Sequence, residues 1–109
     1  MVRKITLPQL KKYDITQKVI EALANTESRA IIFSIIRKGK TATQLSITLK
    51  IPLSSVYKKL TDLENLTLIE IEKTILSEKG KRFKVYKSRI SKAEILIKKL
   101  EPTVSLSAN

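Results

Sequence analysis

Between Pro52 and Leu66 the sequence sets Ser54, Ser55, Tyr57, Lys58, Lys59 and Thr61 among the apolar residues Leu53, Val56, Leu60 and Leu63. The apolar four recur at three- and four-residue intervals, the spacing of one helix face. On a helical wheel Ser54, Lys58, Thr61 and Asp62 then fall on the far side, with Ser55, Tyr57 and Lys59 on the flanks. Short hydroxyls donate or accept at base edges, and a long ammonium suits the O6 and N7 acceptors of guanine. Two readings of Pro52 compete: a break between two packed helices, or the turn before a helix that reads nucleic acid. A merely solvated face more often carries Glu–Lys pairs four residues apart, which favours the second.

A second chemical group lies downstream, at Lys79-Gly80-Lys81-Arg82. Glycine lets a backbone turn closely against a duplex, and three cations suit phosphates or the minor groove. The bland alternative is a hairpin kept soluble by lysines. Lys73, Lys79, Lys81, Arg82, Lys84, Lys87, Arg89 and Lys92 share one stretch with a single acid, Glu78. Over the whole chain 22 basic residues face 10 acids, a net charge of +12, which attracts polyanions, nucleic acid first and anionic membrane second.

The 109 residues contain no cysteine and no histidine. Disulfides, thiolate or imidazole metal sites and the usual nucleophile–base pairs are excluded, and no cofactor is expected. An enzyme would have to use carboxylates, lysines and hydroxyls alone, and Asp62 and Glu64 are too close in sequence to be argued as an acid–base pair. Phe83 and Tyr86 read as packing residues rather than an aromatic stacking platform. With 42% hydrophobic and 29% charged residues the chain reads as one globular domain. It has no apolar run of membrane-spanning length and no signal-peptide pattern, so a cytoplasmic location follows as an expectation.

The elements that must position these groups can be read in order. Residues 1–12 form a basic arm with Arg3, Lys4, Lys11 and Lys12. Asp14-Ile15-Thr16-Gln17 has capping-box form and opens a short helix. Asn25 caps a nearly all-apolar helix from Thr26 to about Lys38, closed by Gly39. Thr41-Ala42-Thr43-Gln44 is a second capping box, before a helix with Ala42, Leu45 and Leu49 inward. After the helix at about 53–66 the period changes to two: Ile69, Ile71 and Ile75 alternate with polar residues, a half-buried strand. A turn at 77–81 and a second alternating run, 83–87, complete a hairpin. Ser91-Lys92-Ala93-Glu94 is a third capping box, predicting a last helix that Pro102 ends, followed by a tail at 102–109.

The stretch "TATQLSITLKIPLSSVYKKLTDLENLTLIEIE" resembles the core of the ArsR/MarR-type winged helix-turn-helix transcription regulators of bacteria and archaea. The matching residues are Leu45, Leu49, Ile51, Ser55, Val56, Leu60, Leu63, Leu68, Ile69 and Glu70, and with the flanking elements the likeness covers roughly residues 20–90. It implies an α+β fold, mainly α with a small β-hairpin, carrying extra terminal helices. It also implies a recognition helix at about 53–66 in the major groove and a wing at 77–82 on the phosphates or in the minor groove. Thr43, on the positioning helix, joins Ser54, Ser55, Tyr57, Lys58, Lys59, Thr61, Lys79, Lys81 and Arg82 as DNA-binding candidates. The family commonly has Gly where this chain holds Lys50 and Thr67; a left-handed backbone would cost each about 1–2 kcal/mol. Metal-sensing members use Cys and His clusters, which this chain lacks.

Small winged helices of this type usually read two half-sites as a two-fold dimer. Ile15, Val19, Ile20 and Leu23, with Ile95, Leu96 and Leu100, are therefore assigned to a homodimer interface; the alternative is that they complete the chain's own core. The function expected is a DNA-binding regulator in residues 13–101, with double-stranded DNA and a second copy as partners. An architectural nucleoid protein with little sequence preference is the competing class, favoured by the high charge. A membrane-surface role is disfavoured because the cations cluster on a hairpin rather than on one helix face.

Overall fold

The computed structural model describes residues 7–98 and 100–109; Arg3 and Lys4 of the expected arm lie outside them. The order is α1 (Leu7–Ala24), α2 (Thr26–Ser34), α3 (Ala42–Leu49), α4 (Leu53–Asn65), β1 (Ile69–Leu76), β2 (Arg82–Ser88), β3 (Ile90–Lys98) and β4 (Glu101–Ala108). Helices α1–α4 and the β1–β2 hairpin make the expected α+β winged helix. The end of the chain differs: residues 90–108 form a second antiparallel hairpin, not a helix and a tail.

Helix α1 begins at Leu7 rather than after Asp14; Pro8 falls in its first turn, where proline costs no intrahelical hydrogen bond. Asn25 caps α2, its side chain accepting from the Ser28 amide at 2.9 Å. This helix stops at Ser34, not near Lys38. Carbonyls just past its end are taken up by the wing: the Ser88 amide donates to Ile35 O at 3.0 Å and Lys87 Nζ to Arg37 O at 2.8 Å. Ile31, Ile32 and Ile35 are wholly buried at the centre, joined by Val19 and Leu23 of α1, Leu45 of α3, and Val56, Leu60 and Leu63 of α4. Each such side chain contributes about 1.5–3 kcal/mol on burial. Phe33 of the same helix is exposed.

The α3–α4 corner is built by backbone bonds. Thr41 and Gln44 form the expected capping box. Lys50 then adopts a left-handed conformation, φ 56°, ψ 43°, and the Lys50 and Ile51 amides both donate to Ser46 O. The Ser46 hydroxyl donates to Ile51 O at 2.6 Å, and buried Ile51 anchors the turn. Pro52 takes the N-cap position of α4. At the far end, Thr67 is left-handed at φ 60°. Its amide bonds Glu64 O and that of Leu68 bonds Leu63 O, a Schellman closure with the apolar pair Leu63 and Leu68 buried behind it.

Strand β2 pairs with β1 on one side and, through a single bridge, with Lys40 on the other: Lys40 N to Tyr86 O at 3.0 Å, and the reverse bond at 2.9 Å. The base of this wing is buried at Ile69, Val85, Tyr86 and Ser88. Past Ile69 every residue of β1 is exposed, so the alternation of Ile71 and Ile75 marks a strand but not a buried face.

In the second hairpin the register pairs Ala93 with Leu106, Ile95 with Val104 and Ile97 with Pro102. Directly paired residues share a face, so one face is wholly apolar, while the other carries Lys92/Ser107, Glu94/Ser105 and Leu96/Thr103. A helical reading of 91–101 fails because Ala93, Ile95 and Ile97 also satisfy a period of two, and a short apolar run fits both patterns. The matching strand decides: Thr103-Val104-Ser105-Leu106 alternates too, and Pro102 sits at the strand's start, where it is tolerated. Helix α1 packs on β4, and Ala93 and Val104 join the core's edge. The Asn109 side-chain amide donates to Ile36 O and Ser88 O, each at 2.9 Å, tying the chain end to the body. The molecule measures 63 × 25 × 24 Å. Among the described residues no helix is long and apolar enough to cross a membrane.

Candidate nucleic-acid interface

Helix α4 is held by its inward face. Val56, Leu60 and Leu63 are buried, which turns Ser54, Tyr57, Lys58, Thr61 and Asp62 to the exterior and leaves Ser55 half-buried. Leu53, expected on the inward stripe, is 40% exposed, because the helix starts as the chain emerges from the Pro52 turn. No side chain caps α4, so its first-turn N–H groups lie at the positive end of the helix dipole, a setting that favours anions.

The candidates on α4 differ in availability. Lys58 is exposed. Lys59 is turned toward α2, its Nζ 3.9 Å from Glu27 Oε1, with a side chain only 21% exposed. The Thr61 hydroxyl donates to Tyr57 O at 3.0 Å, which leaves its lone pairs to accept. On α3, Thr43 is exposed, and so is Ile47 at 73%. Sequence reading passed over Ile47; an apolar residue outside the 42–45–49 stripe of a positioning helix is the signal, since thymine methyl groups are read by apolar contact.

The wing carries the other cations. Ser77–Lys81 forms a tight turn: the Ser77 amide donates to Lys81 O at 2.8 Å, that of Gly80 to Ser77 O at 2.9 Å, and that of Lys81 to Ser77 Oγ at 3.0 Å. Gly80 has φ 78° and open space around its Cα. Lys79, Lys81 and Arg82 are exposed, and Lys81 Nζ stands 5.6 Å from the centroid of the Phe83 ring, close enough for a cation–π contact. At the wing's root Lys87 lies 3.8 Å from Glu72. The hairpin is thus pinned at its base and cationic at its tip.

Of the residues assigned to a second copy, Val19 and Leu23 are buried in the chain's own core and Ile20 is half-buried, whereas Ile15, Ile95, Leu96 and Leu100 are exposed. Among the described residues no group of three or more acidic, His or Cys side chains could hold a metal.

No protein-family model matches the chain, and no curated protein matches it. Its structure is similar to the crystal structure of NolR from Sinorhizobium fredii, with a TM-score of 0.61 and 16% identity over 80% of this chain and 81% of that one. At that identity the likeness establishes a shared fold.

Proposed function

We propose that the protein is a DNA-binding transcription regulator that inserts α4 into the major groove and lays the β1–β2 wing on the neighbouring backbone and minor groove. The observation that carries this reading is the sorting of α4: its apolar face is consumed by the core, while Ser54, Tyr57, Lys58 and Thr61 face outward. The fold shared with NolR, a winged-helix transcriptional regulator, supports it. Lys79, Lys81 and Arg82 supply sequence-independent attraction to phosphates, and Ser55 and Thr43 flank the reading face. The protein acts from the cytoplasm, on the nucleoid, as a homodimer. Its second copy covers the apolar face of the β3–β4 hairpin, where Ile97 is 69% and the adjoining Leu100 89% exposed. Two half-sites centred one helical turn, ~34 Å, apart follow from that symmetry.

The net charge of +12 favours a second reading, an architectural protein that binds duplexes with little preference. A salt titration on a selected site and on random duplex separates the two. Lys58→Ala should cost about 1–3 kcal/mol on the selected site and flatten preference at one or two base pairs. Replacing Lys79, Lys81 and Arg82 by Ala should weaken both duplexes and shallow the slope of log K against log salt by about 0.9 for each phosphate left without its cation. Equal weakening of both duplexes by Lys58→Ala favours the architectural protein.

A further inference from the structure

Leu76 is the last residue of β1 and is 65% exposed. It is paired directly with Arg82, the first residue of β2, so leucine and arginine project from one face of the wing tip. On the opposite face Phe83 is half-buried with Lys81 above its ring, which gives the aromatic surface there a cover. Nothing in the folding of the hairpin uses the Leu76 side chain. The three hydrogen bonds that close the Ser77–Lys81 turn nevertheless fix the backbone that follows it, with Arg82 as its cross-strand neighbour. A wing that only touched phosphates would gain nothing from an exposed leucine beside its arginine.

We infer that Leu76 is a minor-groove wedge: with Arg82 beside it, the leucine enters the groove where the wing meets the duplex, opens a base step and bends the DNA. The minor groove, about 6 Å wide, admits single side chains and not a helix. Its negative potential draws an arginine in, and apolar side chains that follow partly unstack a step and kink the duplex by about 20–90°. Flexible steps such as TA yield at lower cost than rigid A-tracts, so the wedge gives the wing a preference without any base hydrogen bond. An exposed leucine also suits a contact between two copies of the chain, and the experiment includes that outcome.

This inference rests on the proposed place of the wing on DNA, and the test separates the two. End-to-end distance in duplexes labelled at both ends, read by energy transfer, is compared for wild type, Leu76→Ala, Leu76→Met and the Lys79/Lys81/Arg82→Ala variant, with a TA step or an A-tract under the wing. Leu76 lies outside the core, so its variants should melt with the wild type. The expected result is a bend of about 20° or more with wild type and Leu76→Met, abolished in Leu76→Ala along with the preference for TA. The salt slope should be unchanged, because every phosphate keeps its cation. A bend that survives Leu76→Ala, or an unbent wild-type complex, overturns the wedge. A triple-cation variant that keeps the full salt slope removes the wing from DNA altogether. If Leu76→Ala leaves the bend intact but lowers the sedimentation coefficient of the free protein, the leucine serves a protein–protein interface instead.

Discussion

Lys50 and Thr67 hold left-handed backbones at φ 56° and 60°, where a side chain costs about 1–2 kcal/mol relative to glycine. They close the two helices of the helix-turn-helix unit, Lys50 by leading the chain from α3 into the Pro52 turn and Thr67 by ending α4. Glycine would relieve the strain but adds freedom to the unfolded chain, worth up to about 1 kcal/mol in the other direction. Thr67, being β-branched, is the more strained of the two. Thr67→Gly is therefore expected to stabilise by up to about 1 kcal/mol in urea unfolding, and Lys50→Gly by less. Destabilisation at Thr67 would mean that its hydroxyl bond to Leu66 O, 2.6 Å, outweighs the strain. The need for a left-handed residue at both places was legible, because the family resemblance puts glycine there. Tyr86 gives a pH signature. Burial first, and then the charges of Glu64 and Tyr57, push its phenol above the ordinary 10.0. A raised folded value means that the stabilisation is complete below about pH 10 and disappears as pH rises through the folded value. As pH rises above 10, Tyr86→Phe should lose less stability than wild type in parallel denaturant titrations.

At the scale of elements the wing depends on one close approach. A Cβ on Gly39 would lie 2.7 Å from Val85 Cγ1 and 3.1 Å from the Tyr86 carbonyl oxygen, so the chain before α3 could not stay against β2. Gly39→Ala is expected to destabilise by about 1–3 kcal/mol and to break the Lys40–Tyr86 bridge. Faster hydrogen exchange at the Lys40 and Tyr86 amides, with core amides less affected, would show it; unchanged exchange would place the strain elsewhere. Sequence alone marked Gly39 only as the end of a helix, since its crowding comes from residues more than thirty positions away. The elements whose signals are local were legible: the Thr41–Gln44 capping box, the Val56–Leu60–Leu63 stripe, and the alternation and Gly80 turn of the wing. The second hairpin was not, because "SKAEILIKKLE" has both a cap signal and a period-two apolar set. Its choice is made by pairing with β4 and packing on α1, which no window of sequence contains.

Over the whole molecule, the candidate interface and the apolar hairpin belong to different physical regimes. The α4 and wing surface is cationic and hydroxyl-bearing. Residues 90–109 carry three lysines against two glutamates and set Ile95, Ile97, Val104 and Leu106 on one face. A lone two-stranded hairpin is marginal in water. Helix α1 covers part of this one, which leaves Ile95 and Leu106 each 42% exposed. A nearly neutral apolar face is where a second copy of a strongly basic chain meets the least repulsion. Deleting residues 91–109 would be a poor test, because it also removes the Asn109 bonds to Ile36 and Ser88 in the body. Point charges on the open face are cleaner. Ile95→Lys with Leu106→Lys should turn a dimer at micromolar concentration into a monomer by light scattering, while the far-ultraviolet circular dichroism stays that of the wild type. Affinity for a duplex with two half-sites should then fall to that for one half-site, since the second binding event no longer benefits from effective concentration. Binding to a single half-site should be unchanged, which distinguishes failed assembly from failed recognition. A wild-type protein that is monomeric at high concentration, or a double variant that remains dimeric, would remove the hairpin from the interface.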